Sequence, residues 1–186
     1  MKSGARALGI AESATGERST LAGAIVRADR TVEEFVFASC TIGGTDATDA
    51  IISLVEALDR PDVDDVILGA VAPAWYNIVD LSRIASTTTS SIIAVTFEDS
   101  EGLEDGLRDA FSGEQLASRL ETYRSLPPRR AVAVNDETVY VRTVGVEHSR
   151  AAELVRAFTP EGGRPEPVRV ARAAARAGHE YRFGGR

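Results

Sequence analysis

The sequence holds one cysteine, Cys40, and one lysine, Lys2, among 186 residues. A lone thiol excludes an intrachain disulfide, and a zinc site would have to combine Cys40, His148 and His179 with carboxylates at no recognisable ligand spacing. Cys40 therefore reads as a small strand residue, and both histidines read as surface residues in polar C-terminal context. No apolar run extends beyond Val66 to Trp75, whereas a membrane-spanning helix needs ~20 such residues, so no membrane partner is expected. The stretch from Met1 to Arg6 leads into an apolar segment too short for the core of an export signal, which predicts a cytoplasmic protein. The patterns Gly-x-x-x-x-Gly-Lys, Gly-x-Ser-x-Gly and His-Glu-x-x-His are absent, which argues against a P-loop NTPase, an α/β hydrolase and a zincin. There is also no internal repeat, low-complexity tract or long flexible linker.

What is present is acid and arginine. The 28 acidic side chains outweigh 21 basic ones for a net charge of -7, and arginine stands almost everywhere lysine would. That bias fits a salt-adapted or GC-rich source. The charge is uneven: residues 150–186 carry eight arginines against four carboxylates, on an otherwise acidic chain. Such a tail points to a polyanionic partner or to a solvated helix paired with the acidic body. A hydrophobic content of 44% is enough for one sizeable core, and residues 1–186 read as one domain.

Periodicity supplies the elements. Three β-rich runs, 6–12, 20–27 and 32–42, are separated by turn residues and predict an antiparallel meander. After Gly43-Gly44, the apolar positions Ile51, Ile52, Val55 and Leu58 predict a helix over 46–58 that crosses to a strand at 63–71. A short helix at 78–85, a second buried strand at 91–97 and acidic helices over 103–123, broken near Gly113, continue the alternation. A hairpin over 131–144 turns at Asn135-Asp136-Glu137, and two helices, 149–158 and 165–177, end the chain. The sum is an α/β fold, a mixed five-stranded sheet of the RNase H-like class flanked by helices, with a small C-terminal hairpin and two helices. In that class the first and fourth strands run parallel side by side, so their C-terminal ends, near Glu12 and Gly69, meet at the edge where open α/β sheets place their sites.

Four motifs in order carry a family likeness: Leu8-Gly9-Ile10 before a polar pair, Gly44-Thr45-Asp46-Ala47-Thr48, Tyr76-Asn77-Ile78-Val79-Asp80, and Arg164-Pro165-Glu166-Pro167-Val168-Arg169-Val170-Ala171. Together they resemble the archaeal endonuclease dU family, earlier known as domain-of-unknown-function family ninety-nine, over nearly the whole chain. That family in turn resembles endonuclease V. The resemblance implies a DNA-repair role: cleavage of nucleic acid, DNA rather than RNA, near deaminated bases such as deoxyuridine, with Mg²⁺ or Mn²⁺. Such hydrolysis needs hard oxygen ligands that converge on one or two metal ions. The family pattern puts an Asp pair after the Leu-Gly-Ile segment, an Asp before the Gly of Gly-x-Asp-Ala-Thr, and Asp-Gly at the end of the fourth strand. Here those positions hold Ala11-Glu12, Gly43 and Gly69-Ala70.

Glu12 and Asp46 are thus the candidate catalytic residues, and Glu12, Asp46 and Asp80 the candidate metal ligands. Each has an ordinary alternative, since Glu12 can be a solvated strand end and Asp46 a helix cap. Gly43-Gly44 and the helix start after them also suggest backbone N–H groups for a phosphate, although such turns are common. Trp75 and Tyr76 are candidates to stack on a base and Asn77 to read its edge, or else they cover the sheet and cap a helix. Arg169, Arg172 and Arg176 share one face of the last helix, opposite Val168, Ala171 and Ala175, and form a candidate phosphate-binding stripe. Loss of the acidic positions leaves two functions open, a depleted nuclease and a non-catalytic nucleic-acid-binding or protein-interaction module.

Overall fold

The computed structural model describes residues 4–184; Lys2, at the start of the stretch from Met1 to Arg6, and Arg186 lie outside the described residues. The chain begins with a meander of three ten-residue strands, β1 (Arg6–Thr15), β2 (Arg18–Arg27) and β3 (Val32–Thr41). Gly16 at φ 69° makes the first turn, where a left-handed backbone suits a residue without Cβ. In the second, the Asp29 carboxylate accepts the Thr31 amide at 3.1 Å. A helix α1 (Ala47–Leu58) crosses to β4 (Asp65–Leu68), which is followed by a single turn α2 (Pro73–Tyr76), α3 (Leu81–Thr88) and β5 (Ser91–Thr96). Two acidic helices, α4 (Glu104–Ala110) and α5 (Gly113–Ser125), precede the hairpin β6 (Arg130–Val134) and β7 (Glu137–Val144). The chain closes with α6 (His148–Ala157) and α7 (Glu166–Phe183).

All seven strands join one sheet in the order β3-β2-β1-β4-β5-β7-β6. The expected parallel pairing of the first and fourth strands holds, with Leu8 opposite Val66 and Ile10 opposite Leu68. The hairpin does not stand apart from a five-stranded sheet, as its sequence position suggested. Instead β7 pairs antiparallel with β5, from Ile92 opposite Val144 to Thr96 opposite Tyr140, and extends the sheet to seven strands. Helix α3 also starts later than periodicity predicts, because Asn77, Ile78 and Val79 are spent as buried connector residues.

Strand β1 sorts its side chains by size. Leu8 and Ile10 point to the layer of α1 and α3, where they join Ile51, Leu54 and Ile84. Ala7, on the other face, belongs to the cluster of Ile67, Phe158 and Val168, beneath α6 and α7. Small residues on that face admit α7 very closely: a Cβ built on Gly9 would lie 2.1 Å from the Pro167 carbonyl carbon. Close approach sets the N-terminal turn of α7, and with it Val168 and Arg172, over the C-terminal ends of β1 and β4. No described helix is long and apolar enough to cross a membrane.

Candidate nucleic-acid interface

The predicted edge is a cleft of about 160 Å³ whose lining includes Ala11 and Glu12 from β1, Gly69 and Ala70 after β4, and Arg164, Val168 and Arg172 from the C-terminal segment. Glu12 is its one carboxylate, and the Ser19 hydroxyl donates to Glu12 Oε2 at 2.5 Å. Arg164 and Arg172 line the same cleft. Arg164 lies over the Phe97 ring, its guanidinium carbon 4.1 Å from the centroid. Burial first, and then the charge of nearby Arg172, lowers the Arg164 pKa from its ordinary value. Arg164 is a site residue that reading the sequence alone missed, because its loop position carries no periodic signal.

The other candidate ligands do not join Glu12. The Asp46 carboxylate accepts the Thr41 amide at 3.0 Å, the Thr41 hydroxyl at 2.9 Å and the Asn77 amide at 2.8 Å. Burial pushes its pKa up, but these donors outweigh burial and hold it below the ordinary carboxylate value. Asp46 therefore bonds backwards to the strand instead of capping α1, as its position had suggested. Asn77 supplies that cap, with Oδ1 accepting the Ala47 amide at 3.0 Å. Asn77 is 0% exposed, so it is not placed to read a base edge. Asp80 caps α3 through the Arg83 amide at 2.9 Å. Among the described residues no three His, Cys, Asp or Glu side chains converge as a metal-holding group.

The Gly43-Gly44 turn also offers no free amides to a phosphate. Gly43 N–H donates to the Ala74 carbonyl at 2.7 Å and Gly44 N–H to that of Thr41 at 3.1 Å. The two glycine carbonyls accept from buried Arg119, at 2.5 and 3.1 Å. Arg119 stacks on Phe111, its guanidinium 4.0 Å from the ring centroid, in a cluster with Trp75 and Tyr76. Ala74, Trp75 and Tyr76 all have positive φ, between 50° and 60°, a left-handed turn that costs L-residues roughly 1–2 kcal/mol each. The Gly43 to Ala74 bond and the aromatic cluster hold that strain. In that turn Trp75 stands 56% exposed.

Cys40 and His179 complete the accounting. Burial, then the charges of Asp46 and Glu12, pushes the Cys40 thiol up to about 12, so it stays a neutral core group. His179 is not at the surface as expected: it lies on the buried face of α7, with Nδ1 3.1 Å from the Thr20 hydroxyl. Of the stripe on α7, Arg172 lines the cleft, Arg176 is exposed, and Arg169 is held by Glu166 at 2.6 and 2.7 Å.

At two of the family's acidic positions, Gly43 and Gly69, a side chain would meet a neighbour. A Cβ at Gly69 would meet Val168 Cγ1 at 2.7 Å, and one at Gly43, where φ is 66°, would meet the Trp75 ring at 2.8 Å. The donor set does not fit a two-metal centre.

The chain is 35% identical to a UPF0215 protein of Pyrobaculum calidifontis over 168 residues, 88% of this chain and 90% of that one. A solved protein of unknown function from Archaeoglobus fulgidus superposes with a TM-score of 0.83 at 26% identity, covering 92% of this chain and 96% of that one. Ciona intestinalis endonuclease V, solved in complex with a 24mer DNA containing an inosine, shares the fold with a TM-score of 0.64 at 14% identity, covering 95% of this chain and 86% of that one. The profile of endonuclease dU matches residues 3–178, nearly the full length, and the chain belongs to the endonuclease dU family.

Proposed function

We propose that this protein is a nucleic-acid-binding member of its family, one that grips phosphates at the sheet edge without a two-metal hydrolytic centre. The observation that carries this reading is the closure of two acidic positions: Val168 fills the space over Gly69, and Trp75 the space over Gly43. Glu12 is then the one carboxylate in a cleft lined by Arg164 and Arg172, and a cleft with two cations to one anion suits a phosphate better than a divalent metal. Arg172 and Arg176 extend the contact along α7, and exposed Trp75 supplies a ring on which an unstacked base can lie. The inosine-containing DNA held by the Ciona endonuclease V of the same fold supports this choice of ligand.

The second reading keeps slow cleavage at deoxyuridine or deoxyinosine, with Mg²⁺ or Mn²⁺ held by Glu12, and rests on the one carboxylate that does open to the cleft. The two separate in one assay on end-labelled single- and double-stranded DNA with a single modified base, incubated with either metal. Binding without cutting is expected. Cutting that disappears in Glu12→Gln would replace the binding reading with the nuclease one, and absence of both binding and cutting would remove each.

A further inference from the structure

A second cavity, of about 400 Å³, opens beyond the cleft at the C-terminal ends of β4 and β5 and shares Arg164 and Arg172 with it. Arg129 and Arg142 line its far side, so four guanidiniums surround a space whose lining includes a single carboxylate residue, Glu98. Arg6, Arg27, Arg60, Arg83, Arg108, Arg124, Arg150 and Arg169 all form ion pairs, on a protein of net charge -7. None of the four arginines of this cavity forms one among the described residues. Other described arginines, such as Arg18, Arg130 and Arg156, also form no ion pair; what marks this cavity is that four such guanidiniums line one space.

They are held in place by other means. Arg129 lies 3.8 Å over the Tyr140 ring and donates to the Ser100 carbonyl at 2.7 Å and to that of Glu98. Arg142 donates to the Pro127 carbonyl and faces the Tyr123 ring at 5.7 Å, and Arg164 stacks on Phe97. Ring stacking and carbonyl bonds fix each guanidinium plane while leaving further N–H edges unspent. Burial lowers the pKa of Arg142 and Arg164, a sign of cations taken out of water without an anion to compensate them. The acidic body gains nothing from holding such a group of charges apart; a bound anion does.

We propose that this cavity is a phosphate monoester site, taking the terminal phosphate of a nucleic-acid strand, a reading that rests on the nucleic-acid function proposed above. A monoester suits it better than a backbone diester because it brings about 1.5 to 2 negative charges and three acceptor oxygens, against one charge and two free oxygens. Fixed guanidinium forks bind such oxygens in pairs. The shared Arg164 and Arg172 join the cavity to the cleft, so a strand lying along the cleft can place its end here.

The test is fluorescence anisotropy at fixed salt with short DNA strands bearing a 5′-phosphate, a 3′-phosphate or only hydroxyl ends, each labelled at the opposite end. One terminal phosphate is expected to tighten binding about tenfold or more, a gain lost in Arg129→Gln and in Arg142→Gln while hydroxyl-ended strands bind as before. Circular dichroism melts accompany both variants, and if Arg142→Gln fails to fold, Arg129→Gln alone decides. Uridine monophosphate, but not uridine, should displace the phosphorylated strand. Should the monophosphate bind while no strand does, the site stands with a free nucleotide as its source and the nucleic-acid reading falls. Equal affinity for phosphate-ended and hydroxyl-ended strands, or no binding of strand or monophosphate, would overturn the monoester site.

Discussion

Asn77 illustrates how a residue can sit at a functional edge and serve the scaffold. Its side chain caps α1 through Ala47, accepting there, and donates to the Thr41 carbonyl and to Asp46 at 3.0 and 2.8 Å. Asn77→Ala would leave a buried amide and a partly buried carboxylate short of partners, at a cost of about 1–3 kcal/mol. In a chain of this size each kcal/mol moves the melting temperature by roughly 2–4 °C. Part of the loss should depend on pH. The Asp46 pKa lies below its unfolded value of 3.8, so its contribution is complete above that value and disappears as pH falls through the lower folded one. Thermal melts at neutral and at acid pH should show the gap between variant and parent narrowing on acidification. A gap that widens in acid would mean that the Asn77 bond to Asp46 does not favour the charged carboxylate. The position of Asp46 at the start of α1 was legible from its place before an apolar-periodic helix. Its bonds were not, since Thr41 and Asn77 reach it through tertiary contacts that spacing does not encode.

At the scale of elements, the placement of α7 decides what the site can be. Its first turn packs on Gly9, where a Cβ would meet the Pro167 carbonyl carbon and oxygen at 2.1 and 2.2 Å and the Val168 nitrogen at 2.5 Å. These are backbone atoms, so the clash cannot be relieved by a rotamer change. Gly9→Ala should therefore destabilise the fold by about 1–3 kcal/mol, as overpacking in a close-packed layer does. It should also displace Val168 and Arg172 and weaken DNA binding along with stability. A Gly9→Ala protein that melts and binds DNA like the parent would show that α7 sits more loosely than this packing implies. The meander and the crossover were legible because local turn residues and period carry them, and the parallel pairing of β1 with β4 followed from the RNase H-like arrangement they imply. The seventh-strand extension was not, because nothing local in the hairpin tells β7 to pair with β5, some 50 residues earlier in contact terms such as Ile92 with Val144. The closure of Gly43 and Gly69 was likewise hidden: glycine at an expected acidic position reads as a loss, while the structure adds that Trp75 and Val168 have taken the space.

For the whole molecule, the governing feature is a field with two signs. Carboxylates dominate the chain at net -7, yet unpaired arginines collect at one edge of the sheet and along α7. Salt screens the repulsion between an acidic body and DNA within about 8–10 Å at ordinary ionic strength, while contacts of the proposed kind would release counterions from the DNA. The members of the α7 stripe are not equivalent in this field. Arg169 must first leave Glu166, which holds it by two hydrogen bonds at 2.6 and 2.7 Å, whereas Arg172 and Arg176 form no ion pair among the described residues. Each phosphate contact contributes about 0.9 to the slope of log affinity against log salt on duplex DNA. Arg172→Ala and Arg176→Ala should each lower that slope by roughly this amount, and Arg169→Ala by clearly less. Titrations of a DNA duplex at salt concentrations from about 50 to 200 mM span the range in which such slopes are resolved. If all three variants keep the parent slope, α7 meets no phosphate and its arginines only solvate the surface; if Arg169→Ala lowers it as much as the others, the Glu166 pair yields to DNA and the stripe acts as a unit of three.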